Sequence, residues 1–215
     1  MSTPTRLIDG SAARPAWASG DPVLETYYDT EWGVVVTDES SLFEMLSLEV
    51  FVVGLAWRTI LRKRGALRSA FDRFEVDAVA AYDTADLDRL LNDAQIIRNE
   101  RKIRAVVGNA RAAVQLRADG GLAELIWAHQ PAVTPAPLSE DEIPRTSAES
   151  VRLAETLRSR GFAMIGPVTA QSLMAAVGVV DLHVVGDPLR HRSGLWSKNG
   201  RRRRRPQLEG NKGPG

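Results

Sequence analysis

The stretch S-L-F-E-M-L-S-L-E-V-F-V-V-G-L-A-W-R-T-I, residues 41 to 60, decides the fold class. Leu42, Met45, Leu46, Val52, Val53, Ala56 and Ile60 recur at helical spacing, and Ser41 with Glu44 three residues on has the form of a capping box. The stretch reads as a helix begun at Ser41. Outward from it, helical patterns recur over 76–81, 86–92, 100–116, 121–129, 147–160 and 168–177. The proline-rich run 131–144 reads as extended connection, because proline lacks the amide and disfavours helix in the residue before it. Residues 27 to 33 read as turn-like. No segment alternates as a strand does, so the class is all-α, with no internal repeat.

The 215 residues, 44% hydrophobic, suffice for one core and are too few for two domains of usual size. No run approaches the ~18 apolar residues of a membrane span, and the N-terminus lacks the order of a signal peptide, so a cytoplasmic protein is expected. The absence of cysteine excludes disulfides and thiolate metal sites. The net charge of +1 conceals an asymmetry: residues 188–215 carry nine Lys/Arg against Glu209 alone, about +8, which leaves about −7 on the rest. The expected organisation is a flexible arm over 1–20, a globular domain over 21–187 and a disordered basic tail over 188–215.

Within the first helix Glu49 falls on the apolar face, a turn from Met45, Leu46, Val52 and Val53. A carboxylate there is expected to be buried, which costs several kcal/mol unless it is bonded, paired or protonated, and which raises its pKa. The plainer reading is a Glu49 bonded to backbone or to an arginine such as Arg98. Trp57 lies eight residues on, nearly the same helix face, and Trp32 sits in the turn-like segment. Flat aromatic faces suit a purine, and a positively charged purine gains about 0.5 to 2 kcal/mol of cation–π attraction; core packing explains each aromatic taken singly. Further on, Arg160-Gly161-Phe162-Ala163-Met164-Ile165-Gly166-Pro167 joins two helical patterns through a short turn and looks like a helix-hairpin-helix near 153–178. Amides starting the second helix, near Val168 and Thr169, are placed to bind a DNA phosphate, although an ordinary tight hairpin fits as well. Asp181, in Val180-Asp181-Leu182-His183, reads on its own as a cap or turn residue.

Taken together, Tyr27-Tyr28-Asp29-Thr30-Glu31-Trp32-Gly33, Leu42-Phe43-Glu44, Leu48-Glu49 with Gly54-Leu55-Ala56-Trp57, Ile96-Ile97-Arg98 with Lys102-Ile103, Gly108-Asn109-Ala110-Arg111-Ala112 and Gly161-Phe162 are similar, in order and spacing, to the 3-methyladenine DNA glycosylase I family. The resemblance runs from about Trp17 to Gly186. It implies a base-flipping enzyme of the helix-hairpin-helix glycosylase type that needs no cofactor, acts on double-stranded DNA containing alkylated adenine, and breaks the N-glycosidic bond to leave an abasic site. Glu49 matches the glutamate that recognises the base. Tyr27 and Trp57 match pocket aromatics, Trp17 and Trp32 match tryptophans lining or supporting the pocket, and Phe51 is placed with them. Gly161, Gly166, Pro167, Thr169 and Lys102 are expected to contact DNA. Asp181 stands where the wider superfamily has a general-base aspartate, so it joins Glu49 as a catalytic candidate. A monomer is the default.

Departures from the family pattern carry expectations of their own. The zinc site implied by the resemblance uses two cysteines and two histidines, but Pro15, Tyr28 and Asp187 occupy three of those positions and leave His183 alone, so no metal is expected. Val52, Val53 and Ala56 replace a glutamine, a small residue and a serine, which predicts a more apolar and narrower pocket. Gln95 replaces a glycine, a strained substitution wherever φ must be positive. An alternative is thus a DNA-binding relative with weak or lost activity.

Overall fold

Asp21 begins the first helix: its side chain accepts the Val23 amide at 3.0 Å, and Pro22 supplies a preset φ at the first helical position. The resulting α1 (Pro22–Thr30) carries Tyr27 and Tyr28 into the interior on its last turn. The computed structural model describes residues 14 to 208. Expectations for 1–13 and 209–215 lie outside the described residues.

The stretch that reads as a single helix is two. α2 (Glu39–Val52) and α3 (Trp57–Ala70) are separated by a turn in which Gly54 takes φ +77°, a conformation glycine adopts without steric cost. The cap of α2 is Asp38, whose carboxylate accepts the Ser41 amide at 2.8 Å, and not Ser41. Every residue from Leu42 to Phe51 is buried, so α2 is the central helix, buried on all sides. It packs on α3, α6 (Glu100–Leu116), α7 (Gly121–Trp127) and α9 (Pro167–Ala176). α4 (Val76–Ala80) and α5 (Thr84–Asn92) lie against α6, and α8 (Ala148–Ser159) pairs with α9. Among the described residues no strand forms, only two isolated bridges. The all-α class and most helix positions agree with the sequence reading; the turn-like 27–33 is instead the end of α1 and its exit.

The tail also differs from expectation. Up to residue 208 it lies against the body, with Val133 bridged to Arg201 and Trp196 to Arg202. Leu195 and Trp196 are each only 2% exposed. The charge run hid this anchor: one buried tryptophan removes a large apolar area from water, and the backbone around it pairs with the proline-rich connection.

Two glycines allow close approaches that set the cavity wall. A Cβ on Gly33 (φ +79°) would lie 2.7 Å from the His183 ring, and one on Gly178 (φ +80°) would lie 3.0 Å from the Gly33 carbonyl oxygen. The Gly33 amide donates to the Ala176 carbonyl at 3.1 Å, which locks the α1 exit to the end of α9. Among the described residues, no helix is long and apolar enough to cross a membrane.

Candidate active site

α1, the end of α2, the start of α3 and one face of α9 line an open cavity of about 430 Å³, bordered also by Ile143, Pro144 and Arg145. It takes Tyr27 and Trp32 from the α1 end, Glu49 and Val52 from α2, Trp57 from α3 and Trp17 from the N-terminal segment. Five sequence-predicted residues, Trp17, Tyr27, Trp32, Glu49 and Trp57, thus converge on one space. Glu49 and Trp57 do so from separate helices, not from one continuous face.

Glu49 is 6% exposed. Among the described residues no hydrogen bond or ion pair reaches its carboxylate, and Arg98 is exposed at the surface. Burial alone pushes its pKa to about 8. The side chain is therefore largely protonated at neutral pH, and a cation beside it would favour the anion. The Tyr27 hydroxyl is pushed well above its ordinary range, first by burial and then by the nearby Glu49.

The aromatic side chains form two groups. Tyr27 and Trp57 meet edge to face, with centroids 5.4 Å apart. Behind Trp32, Tyr28 stacks at 5.3 Å, Trp17 sets its edge at 5.6 Å and the His183 ring lies at 4.6 Å. Such contacts fix ring orientation and leave flat apolar walls for a planar ligand.

Three sequence-predicted residues lie elsewhere. Phe51 is fully buried in the core, edge to face with Phe71 at 5.7 Å, because its side of α2 faces away from the cavity. Lys102 is not presented to a phosphate: its ammonium donates to the carbonyls of Phe51 at 2.7 Å and Val53 at 2.5 Å, satisfying the C-terminal end of α2 where a cation also complements the helix dipole. Asp181 is buried and spent structurally. Its carboxylate accepts the His183 ring N–H at 2.7 Å and the His183 and His191 amides at 3.1 and 2.7 Å, and the neighbouring Leu182 is what reaches the cavity.

The hairpin glycines lie where the sequence places them. Gly161 takes φ +89° after α8, Gly166 precedes α9, and Pro167 opens it, followed by Val168 and Thr169 with first-turn amides free of helical partners. Asn109 of α6 clamps the hairpin, accepting the Ala163 amide at 2.7 Å and donating to its carbonyl at 3.2 Å. Sequence reading missed the contribution of α9 to the cavity, where Val168, Gln171, Ser172, Ala175 and Ala176 share one face. Their i, i+4 spacing was the available signal; lacking charge or aromatics, they read as core.

The methyladenine glycosylase family pattern matches residues 17–191. The chain belongs to the methyladenine glycosylase family. It is 43% identical over 177 residues to DNA-3-methyladenine glycosylase 1 of Escherichia coli (strain K12), covering 80% of this chain and 94% of that protein. A crystal structure of a 3-methyladenine DNA glycosylase I superposes with a TM-score of 0.79 at 37% identity, over 82% of this chain and 99% of the other. The Staphylococcus aureus 3-methyladenine DNA glycosylase I, whose structure concerns 3-methyladenine recognition, gives 0.77 at 30% identity, over 81% and 95%.

As a member of the methyladenine glycosylases, the chain departs at three of the four zinc positions that the resemblance implies and keeps only His183. Pro15 has no donor side chain. The Tyr28 hydroxyl donates to Asp187, and the His183 ring N–H is committed to Asp181. This donor set does not fit tetrahedral zinc. The same junction is held by hydrogen bonds from the C-terminal segment. Arg192 donates to the Tyr28 and Asp29 carbonyls at 3.3 and 2.9 Å, and Arg190 to the carbonyls of His183 and Pro135, the latter at 2.7 Å.

The other departures resolve differently from expectation. Val52 lines the cavity, but Val53 is 44% exposed and does not narrow it. Ala56 caps α3 without any side-chain bond, so a missing serine there weakens a helix start and does not change the cavity lining. Gln95 is not among the residues with positive φ, so it carries no left-handed strain.

Proposed function

We propose that this methyladenine glycosylase hydrolyses the N-glycosidic bond of 3-methyladenine in double-stranded DNA, as a cytoplasmic monomer, leaving an abasic site. One observation carries the reading: Glu49, buried and unpaired, faces an aromatic cavity sized for a planar base.

Methylation makes the base in DNA cationic. Turned out of the duplex, it is held between Trp and Tyr faces, whose negative quadrupole attracts it, while its charge favours the Glu49 carboxylate. The C1′–N9 bond then breaks with its electron pair passing to the base, which becomes neutral. Glu49 supplies a negative field as positive charge shifts to the sugar; water oxygen bonds to C1′ and one proton is released. The leaving group needs no strong general acid.

The surroundings supply the handling of DNA. Leu55 and Val53, 42% and 44% exposed, project from the α2–α3 turn beside Val52 and Trp57, an apolar wedge able to fill the gap left by an extruded base. Arg145 stands exposed at the rim near Val168, and the α9 amides at Val168 and Thr169 offer donors to a backbone phosphate.

The test is single-turnover release of 3-methyladenine from methylated duplex DNA, without added metal, by the wild type and by Glu49→Gln. Release by the wild type with a loss of roughly 100-fold or more in the variant is expected. Tight binding of methylated DNA without release by folded wild type overturns the reading in favour of a binding protein.

A further inference from the structure

Arg201 to Arg205 form a run of five consecutive arginines beyond residue 191, where the family pattern ends. The run is tied down at both ends: before it lies the buried Trp196, and after it Leu208 packs against the core. Between these anchors the backbone is bonded in place. The Arg202 amide donates to the Ala132 carbonyl at 2.9 Å, the Arg203 amide to the Leu195 carbonyl at 2.8 Å and the Ser197 amide to the Arg201 carbonyl at 2.9 Å. The Arg202 guanidinium is spent on the Gln130 carbonyl at 2.9 Å. Arg201, Arg203, Arg204 and Arg205 are exposed, and among the described residues their guanidinium groups meet no carboxylate, whereas Arg14, Arg64 and Arg117 of the body are each paired. Like charges in a row repel one another and, unanchored, spread into solvent; held in place, they make a fixed cationic strip. The strip begins close to the cavity: the Gly200 carbonyl accepts the Thr134 amide at 2.9 Å, the Thr134 hydroxyl donates to the Asp181 carbonyl at 2.7 Å, and the next residue, Leu182, lines the cavity.

We propose that this strip is a contact surface for the phosphate backbone of duplex DNA, supplying the electrostatic attraction that the rest of the chain lacks. Residues 188–215 carry about +8 and the remainder about −7. A body of that sign repels a polyanion at long range, so the attraction is concentrated in the C-terminal segment. Guanidinium groups meet phosphate oxygens through paired N–H donors, and such contacts hold a duplex without reading its sequence. The inference rests on the function proposed above only for its ligand, duplex DNA, and it assigns a surface that holds this ligand outside the cavity.

The experiment measures the affinity of the full chain for an unmethylated duplex as KCl is raised from about 50 to 200 mM. It compares the wild type with the triple variant Arg203→Gln, Arg204→Gln, Arg205→Gln and with a charge-keeping triple variant, Arg203→Lys, Arg204→Lys, Arg205→Lys; both leave the anchors and the Arg202 bonds in place. The glutamine variant is expected to bind roughly 10-fold or more weakly at low salt, and its slope of log affinity against log salt is expected to be shallower by about 2 to 3, close to one counterion for each lost contact. The lysine variant keeps the slope, and all three proteins bind free 3-methyladenine within about 2-fold of one another. An unchanged slope in the glutamine variant, an equal loss in the lysine variant, or strip-dependent binding of single-stranded RNA tighter than that of duplex DNA overturns the proposal. A wild type that releases 3-methyladenine while the glutamine variant keeps its slope removes the strip and leaves the function standing; a strip-dependent slope in a wild type that releases no base removes the function and leaves the strip.

Discussion

Glu44 and Glu49 lie five residues apart on α2 and are equally buried, each 6% exposed, yet only Glu44 meets cations. Arg64 and Arg68 donate to it at 2.5 and 2.8 Å, and Arg64 also reaches Glu31 at 2.5 Å. One helix thus carries a carboxylate whose charge is neutralised within the fold and another that burial leaves without a partner and largely protonated at neutral pH.

The unpaired carboxylate costs stability in a pH-dependent way. Its pKa is about 8 in the folded chain, against the ordinary 4.5 for a free glutamate. Below pH ~4 both folded and unfolded forms are protonated and no penalty arises. Between these values the unfolded chain releases its proton more readily, so the penalty grows as pH rises and levels off above pH 8, at a few kcal/mol. Glu49→Gln is expected to raise the melting temperature at pH 8.5 (~4 units above the ordinary value) and to lose that advantage towards pH 4. Equal melting curves for both proteins across this range would falsify the buried, unpaired assignment.

Lesion binding has the opposite dependence. A cationic base favours ionised Glu49, so association releases a proton, and affinity for methylated duplex is expected to rise with pH until about pH 8 and then flatten. Titrations of wild type and Glu49→Gln over this range check it, since the variant loses the slope.

For Glu44→Gln the prediction is structural. Removing the charge leaves the Arg64 guanidinium, only 14% exposed, with Glu31 alone, a cost of about 2 to 4 kcal/mol. Urea denaturation is expected to show that loss, while free 3-methyladenine binds the folded variant within about 2-fold of wild type.

Leu55→Ala separates base recognition from base extrusion. Leu55 is exposed at the rim and outside the cavity lining, so affinity for free 3-methyladenine is expected to stay unchanged. Release from duplex DNA falls by roughly 10-fold or more, since an unfilled gap no longer offsets part of the unstacking cost. Parallel losses in both assays contradict the wedge.

Ala56→Ser restores a capping hydroxyl to α3, whose first position has no side-chain bond. A gain of about 1 kcal/mol in unfolding free energy is expected. No gain in denaturant midpoint indicates that the first-turn amides of α3 are already satisfied by solvent.

The helices that the sequence placed well, such as α6 and α8, have one polar and one apolar face, so periodicity reports their position directly. α2 does not. Buried all round, it continues the apolar pattern across Val53 to Ala56, and only the positive φ at Gly54 reveals the break. Glu49 was legible because a carboxylate in apolar surroundings is conspicuous whatever the fold. Lys102 and Asp181 misled for the converse reason: both carry chemistry-bearing groups, and only coordinates show these spent on carbonyls, amides and a histidine.

The Tyr28–Asp187 bond closes a separation of 159 residues. Where a metal concentrates such a closure in one strong event, this chain spreads it over hydrogen bonds worth about 1 kcal/mol each and the burial of Trp196. Tyr28, which that bond holds, stacks on Trp32 beside the cavity, so loosening of the C-terminal segment is expected to disturb the aromatic layer of Trp17, Tyr28 and Trp32, and amide exchange in that segment measures how often it opens.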